Sequence, residues 1–204
     1  MSHPIAVFVS GTARPLENFV RLAQQGALDT QVVLVLCDRH GAGAIERARK
    51  FGLRPLTLLP SEYEDTAAFS RAAFEAAQEA GAQTVLLAGF LRLLHIPTSW
   101  TNRVLNIHPS LLPAFGGKGY YGSRVHKAVL ERGCTLSGCT VHYVDQEYDH
   151  GRILVQRTVP VRASDTPDDL AARVFDEELV AFPEALRLHM DSRSADTATE
   201  RGGA

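Results

Sequence analysis

Two polar side chains stand at the end of an apolar run in VLNIHPSLLP: Asn106, and His108 two residues on, with Pro109 fixing the backbone directly behind. An asparagine amide is a permanent hydrogen-bond donor, and a histidine switches its charge near neutral pH. A carboxylate beside such a histidine orients the ring and favours its imidazolium form. Asp149, in EYDHG, is of that type. Together the three could stabilise the oxyanion of a tetrahedral intermediate and handle the proton left when an amine attacks a carbonyl carbon. Each also has a plain structural use. Asn106 can cap a turn, Asp149 before His150-Gly151 can be a hairpin residue, and a lone strand-end histidine is commonly a packed one. His142, in CTVHYV, reads as structural or as a supporting neighbour, and His126 and Cys139 read as packing.

The elements that must position these residues alternate along the chain. Apolar runs at 5 to 10, 31 to 38, 84 to 90 and 103 to 109, with a weaker one at LRPLTLL, read as strands. Between them lie helical patterns in LENFVRLAQQGAL, in AGAIERARKFG with Gly52 closing it, and in the alanine-rich TAAFSRAAFEAAQEAG. Strands apolar on both faces and separated by helices imply a parallel sheet covered on both sides. After Gly117 come a short helix in SRVHKAVLERG and two strands, CTVHYV and ILVQRTVPV, joined by the polar DQEYDHGR, which read as an antiparallel extension. A long helix then starts at Thr166 as N-cap, with Pro167, Asp168 and Asp169 in its first turn. The fold class is therefore α/β: one domain over 1–190 with a doubly wound, mostly parallel, Rossmann-like sheet, and a tail over 191–204 with too little to bury to be ordered.

Composition narrows the function classes. The 204 residues carry 45% hydrophobic side chains and no apolar run near twenty residues, so a soluble domain without a membrane span is expected. A formal net charge of -2, with no basic stripe, argues against nucleic acid as a partner. Three cysteines without paired CxxC spacing fit reduced thiols, and no ligand cluster argues for a metal. MSHPIAVFVSG enters a strand without a basic leader, so the cytoplasm is the expected location.

In open parallel sheets ligands sit beyond the carboxyl ends of the strands. Four segments meet that condition: SGTARP, AGFLRLL, NIHPSLLP and DQEYDHG. Singly each is weak. In combination, NIHPSLLP, the later aspartate of EYDHG and the preceding LLAGFLRLL resemble the folate-dependent formyltransferases, over the chain from its first strand to about Met190. HPSLLP and AGFLRLL are specific to that superfamily, whereas the Ser10-Gly11 turn is not.

The resemblance implies a formyltransferase fold and transfer of a formyl group from 10-formyltetrahydrofolate, as co-substrate, to the amine of a phosphoribosyl acceptor, 5'-phosphoribosylglycinamide. It makes His108 the general acid and oxyanion stabiliser, Asn106 the companion donor and Asp149 the group that keeps His108 protonated. It assigns Leu91, Arg92, Leu93 and Leu94, with Asn106, to the pterin pocket, and Asp145, Gln146, Glu147, Tyr148 and Asp149 to a folate loop. Phe175 to Glu178 fall on the acceptor, with Glu178 set to hold its amine or ribose. Gly11, Thr12, Ala13, Arg14 and Pro15 fall on its phosphate; apart from the resemblance, the charge of Arg14, and of Lys118 from across the cleft, is expected to serve the same anion.

The chain also departs from the family pattern. Ala13, Arg14 and Pro15 replace a glycine, a serine and an asparagine, Thr66 replaces a basic residue, and AFGGKGYYGSR is longer and richer in glycine. These changes bear on the acceptor rather than on the formyl chemistry. An amino-sugar nucleotide acceptor, or water as in a formyltetrahydrofolate hydrolase, is the alternative, and a non-catalytic folate-binding module would not need all three polar groups. A monomer or homodimer is expected.

Overall fold

The computed structural model describes the backbone of residues 2–202 and the side chains of 2–194. Seven strands, β1 (His3–Val9), β2 (Thr30–Cys37), β3 (Pro55–Thr57), β4 (Thr84–Leu87), β5 (Val104–His108), β6 (Leu136–Tyr143) and β7 (Ile153–Pro160), form one sheet in the order β3-β2-β1-β4-β5-β6-β7. The first five are parallel, and β6 and β7 extend the sheet antiparallel, as the sequence pattern implied. Among the described residues five α-helices connect and cover it: α1 (Arg14–Gln24), α2 (Gly43–Lys50), α3 (Thr66–Glu79), α4 (Ser123–Glu131) and α5 (Pro167–Gly202).

Alternation along β1 shows why both faces must be covered. Ile5, Val7 and Val9 enter the core shared with α1, α2 and α5, whereas Ala6 and Phe8 enter a second core under α3, with Phe69, Phe74 and Trp100. The first core is tied together by Phe19 of α1 against Phe182 of α5, edge to face at 5.3 Å.

Helix ends follow local chemistry. Asp65 caps α3 by accepting from the Ala68 amide at 2.7 Å. Thr166 caps α5 in a reciprocal box, its hydroxyl accepting from the Asp169 amide and its own amide donating to the Asp169 carboxylate. The strand expected to reach residue 90 ends at Leu87, because Gly89 turns the chain at φ 73. The segment expected as an unpacked tail continues α5 to Gly202, and its last two residues lie outside the described ones. Among the described residues no helix is long and apolar enough to cross a membrane.

Strand order reverses between β1 and β4, so the loops leaving their carboxyl ends part there and open a crevice. Two hydrogen bonds hold the crevice walls together at its base, from the Ser10 amide to the Gly89 carbonyl and from the Leu91 amide to the Ser10 hydroxyl.

Candidate functional site

Residues two apart on a strand share a face, which places Asn106 and His108 side by side at the end of β5. The antiparallel register sets His142 of β6 directly opposite Asn106. Asp149 arrives from the loop between β6 and β7, in a left-handed conformation at φ 54. Its carboxylate lies 3.3 Å from His108 Nδ1 and accepts from the Gly117 amide at 2.9 Å and from Asn106 Nδ2 at 3.3 Å.

The proton arrangement follows from these partners. His108 Nε2 donates to the Phe115 carbonyl at 2.8 Å, while Nδ1 faces the Asp149 carboxylate. Both ring nitrogens therefore meet oxygen acceptors, and a ring with hydrogen on both satisfies both. His142 Nδ1 donates to the Tyr143 carbonyl at 2.7 Å, which turns the Nε2 lone pair towards Asn106, 3.1 Å away. The two amide hydrogens of Asn106 are thus aimed at His142 and Asp149. Burial by itself would raise the Asp149 carboxyl, but its pairing with His108 and the bond from the Gly117 amide hold it well below the usual carboxylate range.

Backbone strain gathers at this site. Among the described residues four non-glycines have positive φ, and Ala13, Phe115 and Asp149 are three of them. Phe115 presents the carbonyl that His108 uses, and Asp149 carries the carboxylate, so the strained conformations are those that aim polar groups. Gly116 lets the two loops meet: a Cβ there would lie 2.5 Å from Leu112 Cδ2 and 3.3 Å from Asp149 Cβ.

Two cavities adjoin here. The larger, about 700 Å³, runs from Gly11–Pro15 past His108 and the 117–123 loop to Asp168, Phe175 and Glu178. The smaller, about 50 Å³, lies between Arg92–Leu94 and Glu147–Asp149. Phe90, Asn106, Tyr148 and Asp149 line both, so the polar cluster forms the boundary between them.

Most of the expected site residues meet around these cavities. Leu91 lines the larger, Arg92, Leu93 and Leu94 the smaller, and Lys118 is exposed on the larger cavity's rim. Asp145 and Gln146 line neither: Asp145 pairs with His150 at 2.7 Å, and Gln146 bonds both backbone groups of Ile96. They anchor the loop, and Tyr148 closes it, its hydroxyl accepting from the Leu93 amide at 2.9 Å. Arg92 is held by the buried Asp38 at 2.9 Å. Arg14 stacks its guanidinium over the Phe175 ring, 3.6 Å from its centroid. Burial pushes the Glu178 carboxyl up to about 7, against the opposing pull of Arg14 and His108.

Cys139 is packed inside β6, as the sequence suggested. His126 is buried but lines the larger cavity, where burial first and the neighbouring His108 second push its pKa down to about 4. Sequence reasoning missed the Phe115 carbonyl and the Gly117 amide, because backbone groups leave no mark in residue type. Among the described residues no group of three or more His, Cys, Asp or Glu side chains could hold a metal ion.

Over residues 3–186 the chain matches the formyl transferase family model. It is 40% identical over 192 residues to a chloroplastic phosphoribosylglycinamide formyltransferase of Vigna unguiculata, covering 93% of this chain and 61% of that protein. The Arabidopsis thaliana counterpart is 42% identical over 185 residues, covering 89% and 63%. The chain thus spans less than two thirds of the length of these curated relatives. Among solved structures, glycinamide ribonucleotide transformylase 1 of Symbiobacterium toebii superposes with a TM-score of 0.88 at 39% identity, covering 94% of this chain and 89% of that one.

Proposed function

The chain belongs to the formyl transferase family, and on that premise we propose that it moves the formyl group of 10-formyltetrahydrofolate to the amine of 5'-phosphoribosylglycinamide, a step of de novo purine biosynthesis. One observation carries the reading. Asn106 and Asp149, with His108 bonded to Asp149, stand where two cavities meet, as a reaction joining two substrates requires.

In this reading the acceptor nitrogen attacks the formyl carbon, negative charge gathers on the formyl oxygen, and the bond from carbon to the folate nitrogen breaks. Asn106 and His108 supply donors to that oxygen, Asn106 with the hydrogen that now reaches Asp149 at 3.3 Å. Nδ1 of His108 is tied to Asp149, which leaves the Nε2 hydrogen, now on the Phe115 carbonyl, as the one to share with the oxyanion. Asp149 holds the ring in place and balances its charge, and a proton from the attacking amine passes to the departing nitrogen. His142, bonded to Asn106, fixes the amide's orientation.

The smaller cavity, walled by Leu93 and Leu94, takes the pterin in this assignment, and the folate loop must open to admit it. The larger takes the acceptor. The amides of Gly11, Thr12, Ala13 and Arg14 donate to no group among the described residues, and such successive free donors suit a phosphate. Arg14 and Lys118 line the same cavity and add positive charge, and Glu178 stands ready for the amine or ribose hydroxyls. Residues 1–190 act as one catalytic domain, and three free cysteines support a reducing compartment, the cytoplasm.

Turnover of 10-formyltetrahydrofolate by the purified protein, with phosphoribosylglycinamide, with an amino-sugar nucleotide and with water alone, tests the reading. Consumption only with phosphoribosylglycinamide is expected. Equal consumption without an amine would make the protein a hydrolase, and consumption only with the amino-sugar nucleotide would move the acceptor.

A further inference from the structure

The loop of residues 11 to 13 is held from outside its own helix. Ala13 stands at φ 50, ψ 45, a left-handed conformation that is uphill for alanine, and it is 4% exposed. No side chain caps α1 from Ala13, and Pro15, the second residue of that helix, has no N–H to give. What does engage the loop is α2. The Ala44 amide donates to the Gly11 carbonyl at 3.1 Å, and Arg47 Nε donates to the Thr12 carbonyl at 3.0 Å. The Arg47 guanidinium also pairs with Glu17, which Arg21 holds from the other side at 3.1 Å. Gly43 packs against Thr12, since a Cβ added there would lie 3.6 Å from Thr12 Cγ2.

Peptide planarity converts this clamp into a statement about donors. In a trans peptide the N–H points opposite to the preceding C=O. Holding the Gly11 carbonyl on α2 therefore turns the Thr12 N–H away from α2, and holding the Thr12 carbonyl on Arg47 does the same for the Ala13 N–H. Those amides have no partner among the described residues, and Gly11, Thr12 and Ala13 line the larger cavity.

We propose that Arg47 is a positioning residue for the acceptor subsite: it pins the Thr12 carbonyl so that an alanine stays left-handed and the Thr12 and Ala13 amides stay aimed at the acceptor's phosphate. Arg47 need not touch the acceptor. The proposal rests on the acceptor reading above, because it assumes that the loop holds the acceptor's anion.

The test compares Arg47→Ala and Arg47→Lys with Arg14→Ala. KM for phosphoribosylglycinamide, KM for 10-formyltetrahydrofolate, kcat and the backbone ¹⁵N order parameters of Thr12 and Ala13 are measured in each. In Arg47→Ala the order parameters are expected to fall and the acceptor KM to rise about tenfold, the scale of one lost charged hydrogen bond. The folate KM stays within about twofold, since that pocket lies across the crevice, and Arg47→Lys, which keeps one donor, recovers part of the acceptor KM. Unchanged order at Thr12 and Ala13 would overturn the proposal whatever the kinetics, and so would an equal rise in both KM values. If Arg14→Ala raises the acceptor KM and Arg47→Ala does not, the proposal fails and the acceptor reading stands. If neither does, the acceptor reading fails and takes the proposal with it.

Discussion

Replacing Asp149 by asparagine separates charge from shape at the centre of the site. Asparagine is among the few residues that accept φ 54, so the loop should keep its path, which alanine there would not ensure. One carboxylate oxygen faces His108 Nδ1 and the Gly117 amide, both donors, so the new NH₂ cannot sit on that side. It must take the side facing Asn106, where it meets the Asn106 NH₂ that His142 holds in place, donor against donor. The His108 and Gly117 contacts survive with a neutral acceptor. A hydrogen bond to a charged group is worth about 1.5–3 kcal/mol against about 0.5–1.5 for a neutral one, so two such bonds lose roughly 2–3 kcal/mol together. That loss falls on the step in which His108 must be cationic and Asn106 must donate. At about 1.4 kcal/mol per decade, kcat should drop roughly 30- to 150-fold. Steady-state kinetics of Asp149→Asn, beside its circular dichroism and melting temperature, give the answer, and both KM values should stay within about threefold. A folded variant with kcat within about threefold of the parent would remove Asp149 from the chemistry and leave it a loop residue.

Acid should destabilise the fold through two histidines. Burial holds His126 and His189 down to about 4, with His108 adding to the first and Arg193, His3 and Arg103 to the second. From the ordinary value of 6.5 down to about 4 the unfolded chain binds these protons and the folded one does not, so stability is full above 6.5 and falls as pH drops through that window. Each group contributes about 1–3 kcal/mol, read from urea midpoints, and a flat profile between pH 6.5 and 4.5 would contradict it. Gly151→Ala should cost about 2 kcal/mol or more and displace Asp149, because its Cβ would run into the Tyr143 carbonyl oxygen; thermal melts and kcat report on it, and a parental melting temperature would refute the packing argument. Tyr148→Phe removes the hydroxyl that occupies the Leu93 amide, so KM for 10-formyltetrahydrofolate should fall about two- to fivefold, and a rise would show that the hydroxyl serves the bound folate instead.

The local pattern of residues was enough for the sheet and for the identity of the reacting side chains. Apolar runs such as IAVFVS and QVVLVLCD must be covered on both faces, which makes the sheet parallel and its helices two-sided before any contact is known. Asn106 and His108 share a face because a strand has a period of two, and Thr166 starts a helix because its hydroxyl reaches the amide three residues on. The remainder depended on distance in space. That Asp149 meets His108 and that Gly117 and Phe115 complete the site with backbone atoms follow from how β6 and the 112–117 loop fold back on β5, and that His126 lines a cavity follows from where α4 packs. Sequence spacing carries no information about such long-range encounters, because the side chains concerned are ordinary loop and helix residues in their own neighbourhoods. Arg47 is the clearest instance: in ERARK it is one cation on an exposed helix, and only the packing of α2 on the first loop makes it the group that holds the Thr12 carbonyl.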